Sequence, residues 1–156
     1  MSELIEVSRL IPASAEAIWS VISDLNRVRE WAPIKAVLEF PNGMAAAPGV
    51  VVKVEQDTPM GRVALEQVFA RCEPPTLLTW TNRGETLGGK PVTQIKDFGT
   101  EISLETMAEK QTKVTVRSRW TAVGLMGLVA NNVIKPRLKR EYDVSLQNIE
   151  RLATSN

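Results

Sequence analysis

Residues 4–11 alternate, with Ile5, Val7 and Ile11 on one face and Glu6 and Ser8 on the other, which predicts a strand. Pro12 ends it. Ser14 is placed to cap a helix over 15–23, in which Ile18, Val21, Ile22 and Leu25 recur at helical spacing. Asp24 is placed to cap a second, shorter helix as far as Arg29, and Trp31-Ala32-Pro33 stops it because the residue before a proline avoids helical angles. A long β region follows. Strands are predicted over 34–40, 50–56 and 62–72, with a loop over 41–49 and a turn over 57–61. Glu73-Pro74-Pro75 breaks the chain before a short apolar strand over 77–81. Residues 82–92 hold three glycines and Pro91, so a flexible loop is expected there. Strands over 94–107 and 112–121 form a hairpin, with Val114, Val116, Ser118 and Trp120 on one face.

Gly124 opens the last element. A helix from Leu125 to Leu152 would be roughly 40 Å long. Its expected apolar stripe contains Met126, Ala130, Val133, Ile134, Leu138, Val144, Ile149 and Leu152, with Arg137 and Glu141 in the middle. Pro136 is expected to kink or divide it. Strands in a run with helices segregated at the ends predict an α+β fold. About seven antiparallel strands must curl, the long helix can cover the concave face, and the two short helices can close one end. No repeat or linker interrupts the chain, so residues 1–156 are expected to form one domain.

Composition narrows the chemistry. The chain has 156 residues, a net charge of +1, one cysteine and no histidine. No strong field is available to steer nucleic acid. A classical zinc site, a histidine-based triad and an intramolecular disulfide are all excluded. No cofactor is expected. The N-terminus lacks the basic and apolar regions of a signal peptide, and no apolar stretch is long enough to span a bilayer, so a cytoplasmic location is the expectation. A homodimer is left open.

Several segments carry a resemblance. They are residues 5–13 followed by Ala17-Ile18-Trp19; Asp24 with Trp31-Ala32-Pro33 downstream; Gly49 leading into 50–54; Glu73-Pro74-Pro75 before Leu78-Thr79-Trp80; and residues 112–116 running into the terminal helix. Together they resemble the SRPBCC superfamily, the helix-grip fold of START domains, birch-pollen-allergen-like proteins and the polyketide cyclase/dehydrase group. The resemblance covers essentially the whole chain. It implies a curved sheet gripping the C-terminal helix, and a pocket between them for an apolar or aromatic ligand. Fold alone does not assign function.

Candidate pocket residues follow from the pattern. Arg137 and Glu141 stand four apart and can pair. Either they face a cavity, where the guanidinium would anchor a carboxylate, phenolate or enolate, or the helix turns and both sit at its rim with their stems over apolar surface. Gln67 shares a strand face with Val63, Leu65 and Phe69, and is the best placed of the strand amides to point inward. Trp80 and Trp120 are candidates for an aromatic wall. Met126 and Val133 would line the same space from the helix. Trp19 and Trp31 are assigned to packing. Tyr142 falls off the stripe and is expected to be exposed. Cys72 has no basic neighbour and is expected to be an inert thiol. Two kinds of function fit: a module binding a lipid, isoprenoid, quinone or polyketide, and a cyclase or dehydratase using Arg137 as the positive charge and Glu141 as the base. A protein-interaction module is the third.

Overall fold

A computed structural model describes residues 2–34, 36–39, 45–58 and 60–155. Lys35 and Phe40 of the strand expected over 34–40, the first part of the loop expected over 41–49, and Pro59 of the turn expected over 57–61 lie outside the described residues. The elements are β1 (Ser2–Ile11), α1 (Ala15–Ile22), a 3₁₀ turn (Leu25–Arg27), α2 (Val28–Trp31), β2 (Ala36–Glu39), β3 (Val51–Thr58), β4 (Gly61–Glu73), β5 (Leu77–Leu87), β6 (Lys90–Pro91), β7 (Ile95–Ala108), β8 (Gln111–Ala122) and α3 (Gly124–Thr154). Ser14 caps α1 by accepting from the Ala17 N–H, and Asp24 accepts from Asn26 N–H at the 3₁₀ turn, as their sequence positions predict.

The strands form one curved antiparallel sheet in the order β1-β8-β7-β5-β4-β3-β2, with two-residue β6 beside β5. Register lines up one inward row across five strands: Phe69 faces Trp80, Trp80 faces Thr100, Thr100 faces Ser118, and Ser118 faces Ile5. The expected flexible loop over 82–92 is mostly sheet. β5 continues to Leu87, and Gly88 and Gly89, both at positive φ, make the tight turn into β6. Gly84, also at positive φ, sits where β4 and β5 slip register between Ala64 and Glu66. Glycines read as looseness are instead the turn and the bulge of a hairpin. A second slip, between Lys96 and Gly99 with Asp97 at φ 55°, lets both Ile95 and Phe98 turn inward although they are three residues apart.

α3 packs closely against β1, β8, α1 and α2. It is continuous through Pro136, not divided there. Its buried side is Gly127, Asn131, Tyr142, Ser145, Leu146, Ile149 and Leu152. Met126 and Val133 are 66% and 51% exposed, and Val144 also faces outward, so the expected stripe is out of phase at its start and at Val144, while Ile149 and Leu152 are buried as expected. The reason is close approach: a Cβ on Gly127 would stand 2.8 Å from Gln94 O and 3.2 Å from Ala122 C. Only a residue without a side chain lets the helix start lie against the end of β8. Gly127→Ala should therefore destabilise the protein by about 1–3 kcal/mol through overpacking, despite the roughly 1 kcal/mol that alanine normally gains over glycine in a helix. Urea denaturation measures this, and a more stable variant would contradict the packing described.

Candidate functional site

Because α3 is seated towards the β1/β8 side, it stands off from the other half of the sheet. The space left there is bounded by Gln56 of β3, Gln67 of β4, Trp80 and Asn82 of β5, and Phe98 and Thr100 of β7, with Leu138, Glu141, Tyr142 and Ser145 of α3 as its roof. Its enclosed volume is about 60 Å³. Trp31, Ala32 and Pro33, at the end of α2 and just after it, border it on one side. The same three residues, with Glu141 and Ser145, also line a more open cleft of about 230 Å³ that runs outward past Arg140, Val144 and Asn148. The inner cavity and the outer cleft thus share a wall.

The walls are aromatic and polar in alternation. The Phe69 and Trp80 rings lie 5.7 Å apart at 53°, a tilted pair across β4 and β5. Phe98 stacks on Trp120 at 5.5 Å and 15°. Trp120 is fully buried, and its Nε1 donates to Asn131 Oδ1 at 2.8 Å, tying the sheet to the helix. It lies behind the wall, so its contribution to the cavity passes through Phe98. Phe69 likewise supports Trp80 from behind.

Tyr142 corrects the expectation of exposure. It is 7% exposed, and its hydroxyl is 2.6 Å from Ser118 Oγ, which is 2.8 Å from Thr100 Oγ1. A polar side chain off the apolar stripe is buried because the sheet supplies its partners at the inward row described above. Burial pushes the phenol above its ordinary value of 10, Glu141 adds to the rise, and the bonds to Ser118 and Thr100 oppose it. The folded state therefore favours the neutral phenol more than the unfolded chain does. Its contribution to stability is whole below pH 10 and is lost as pH rises through the raised value. Tyr142 is the only tyrosine, so the ultraviolet phenolate band reports it directly. The band should appear above pH 10 in the native protein and shift down on denaturation, whereas a midpoint at or below 10 would contradict the burial.

Arg137 and Glu141 pair, with Nε to Oε1 at 2.7 Å, and their side chains are 29% and 27% exposed. A second guanidinium nitrogen, Nη2, donates to the backbone carbonyl of Asp57 in β3. Glu141 borders the cavity and Arg137 does not. The pair lies at the rim, with the cation bridging α3 to the β3–β4 hairpin. Of the eight residues singled out from sequence, Gln67, Trp80 and Glu141 meet at the cavity, Phe69 and Trp120 back its walls, Arg137 braces its rim, and Met126 and Val133 are on the outer surface of α3.

Trp31 and Asn82 were not among them. Trp31 is 5% exposed, and its Nε1 has no hydrogen-bond partner among the described residues; the same holds for Asn82 Oδ1. Both side chains border the cavity. Asn82 is the register partner of Gln67 across β4 and β5. The alternation that revealed Gln67 would have revealed Asn82 had β5 been extended through it.

Burial pushes the Cys72 thiol up, which keeps it protonated and unreactive. Burial also raises the Glu85 carboxyl, and Glu85 does not line the cavity. Among the described residues no three side chains of metal-ligating type converge. No described helix is long and apolar enough to cross a membrane.

Residues 3–154 match the family model "Polyketide cyclase / dehydrase and lipid transport". The chain belongs to this family. No curated protein matches it. Among solved structures it is similar to an aromatase/cyclase from a Streptomyces species, with 15% identity over 98% of this chain and 94% of that one, at a TM-score of 0.76. It is similar to Ara h 8.0201, with 18% identity over 100% of both chains and a TM-score of 0.70. A Thermus thermophilus protein matches at 11% identity over 97% of both chains, with a TM-score of 0.74. These likenesses extend to the fold.

Proposed function

We propose that this family member binds a small hydrophobic or aromatic molecule between its sheet and α3. The observation that carries the reading is the aromatic-walled cavity, adjoined by the cleft beside Trp31 and lined by two residues with buried polar atoms that no described side chain satisfies. The cyclase or dehydratase alternative draws little from the rim pair. Arg137, the charge it would need for an enolate, is committed to Glu141 and the Asp57 carbonyl outside the cavity. A cytoplasmic carrier or sensor of such a compound is the setting in which a binding module without catalysis makes sense.

Native mass spectrometry of freshly purified protein, paired with thermal shift against neutral bicyclic aromatics, isoprenoids and quinones, tests the proposal. A ligand at 100 times its dissociation constant should stabilise the fold by about 2.7 kcal/mol. In Trp80→Leu that shift should shrink for aromatic ligands. A protein that carries no small molecule and gains no stability from any of these classes would refute it.

A further inference from the structure

The chemistry of the cavity wall says more about its occupant than "hydrophobic". Two residues that line the space carry orphan atoms of opposite character: among the described residues, Trp31 Nε1 lacks an acceptor and Asn82 Oδ1 lacks a donor. The Gln67 amide, 5% exposed, lies directly across the strands from Asn82. A buried group left unmade costs more than a made bond gains, so an occupant that supplies these partners is favoured over an equally apolar one that does not. The charged groups point the other way. Among the described residues the inner cavity's lining contains no basic side chain, Arg140 bordering only the outer cleft, and its one acidic side chain is Glu141. The guanidinium that would neutralise a ligand anion is held on the far side of Glu141 by the Asp57 carbonyl. A carboxylate entering the cavity would lose its water, meet no positive partner and approach a like charge.

We infer that the cavity selects an uncharged ligand carrying a hydroxyl group that donates to Asn82, with an oxygen acceptor for Trp31, and that it rejects carboxylates. The inference rests on the binding reading above and refines it to a chemical class: neutral hydroxylated ring compounds, as opposed to free acids or plain hydrocarbons.

Three probes of one shape separate these: 2-naphthol, which donates; 2-methoxynaphthalene, which only accepts; and 2-naphthoate, which is anionic. Binding is followed by tryptophan fluorescence at neutral pH. The naphthol should bind about tenfold more tightly than the methoxy compound, the difference expected from one buried acceptor gaining its donor. The naphthoate should bind more weakly than the naphthol by about tenfold or more. In Asn82→Leu the naphthol and methoxy affinities should converge. Comparing the two probes within each variant cancels any general loosening of the fold. Glu141→Gln should recover part of the naphthoate affinity. Equal affinities for naphthol and methoxynaphthalene in the unmodified protein, a naphthoate that binds as tightly as the naphthol, or a naphthol preference that survives Asn82→Leu would overturn the inference while leaving a hydrophobic pocket standing. Failure of all three probes to bind would overturn both.

Discussion

Trp120→Ala should lower the melting temperature by about 10–15 °C, from a loss of about 3–5 kcal/mol in a protein of this size. Trp120 is among the largest fully buried side chains, and its removal does three things at once. It opens a cavity of indole size between β8 and α3. It takes away the surface on which Phe98 stacks. It leaves Asn131 Oδ1 buried without the N–H that satisfied it, a further cost of about 1–3 kcal/mol when nothing replaces the donor. Asn131→Ala, which removes the bond and keeps the ring, separates the terms and should cost no more than about 2 kcal/mol. Because Phe98 is a wall of the cavity, Trp120→Ala should also weaken aromatic ligands beyond what the stability change alone explains. A drop of less than about 4 °C would mean that the indole is not the anchor between β8 and α3 that the contacts indicate.

The second large effect concerns binding. Ser145→Trp should reduce affinity for 2-naphthol at least ~100-fold, equivalent to about 2.7 kcal/mol. Ser145 is buried on α3 and borders both the inner cavity and the outer cleft, so a large side chain there intrudes on both. An indole exceeds the enclosed space of about 60 Å³, so the melting temperature of the unliganded variant is measured beside its affinity to separate overpacking from blocked binding. Ser145→Leu, intermediate in size, should give an intermediate affinity. Unchanged binding in Ser145→Trp would place the ligand somewhere other than under α3.

Much of the architecture was legible because it rests on periodicity. The alternation of β1, the Ser14 cap and the end of the final helix at Ile149 and Leu152 follow from residues whose local preference agrees with their burial. The failures have physical causes. Gly84, Gly88 and Gly89 look like a loop in composition, yet their positive φ values shape a bulge and a hairpin turn, which hid the rest of β5 and with it Asn82. Hydrophobicity placed Met126 and Val133 inward, while the actual contact is made by Gly127, for its lack of a side chain, and by Asn131, for its bond to Trp120. Tyr142 is buried by partners more than twenty residues away on the sheet, which no helical wheel contains. The spacing of Arg137 and Glu141 announced the pair, but its facing was decided by the Asp57 carbonyl on another element. Sites assembled across strands are legible only once register is known.

The central claim is that the sheet and α3 enclose usable space on the side away from β1. A crystal structure of the complex with 2-naphthol tests it most directly. The account predicts ring density between Trp80, Phe98 and Tyr142 with the hydroxyl within hydrogen-bonding distance of Asn82. Side chains closing that space, with the naphthol absent or bound only on the outer surface of the helix, would contradict it.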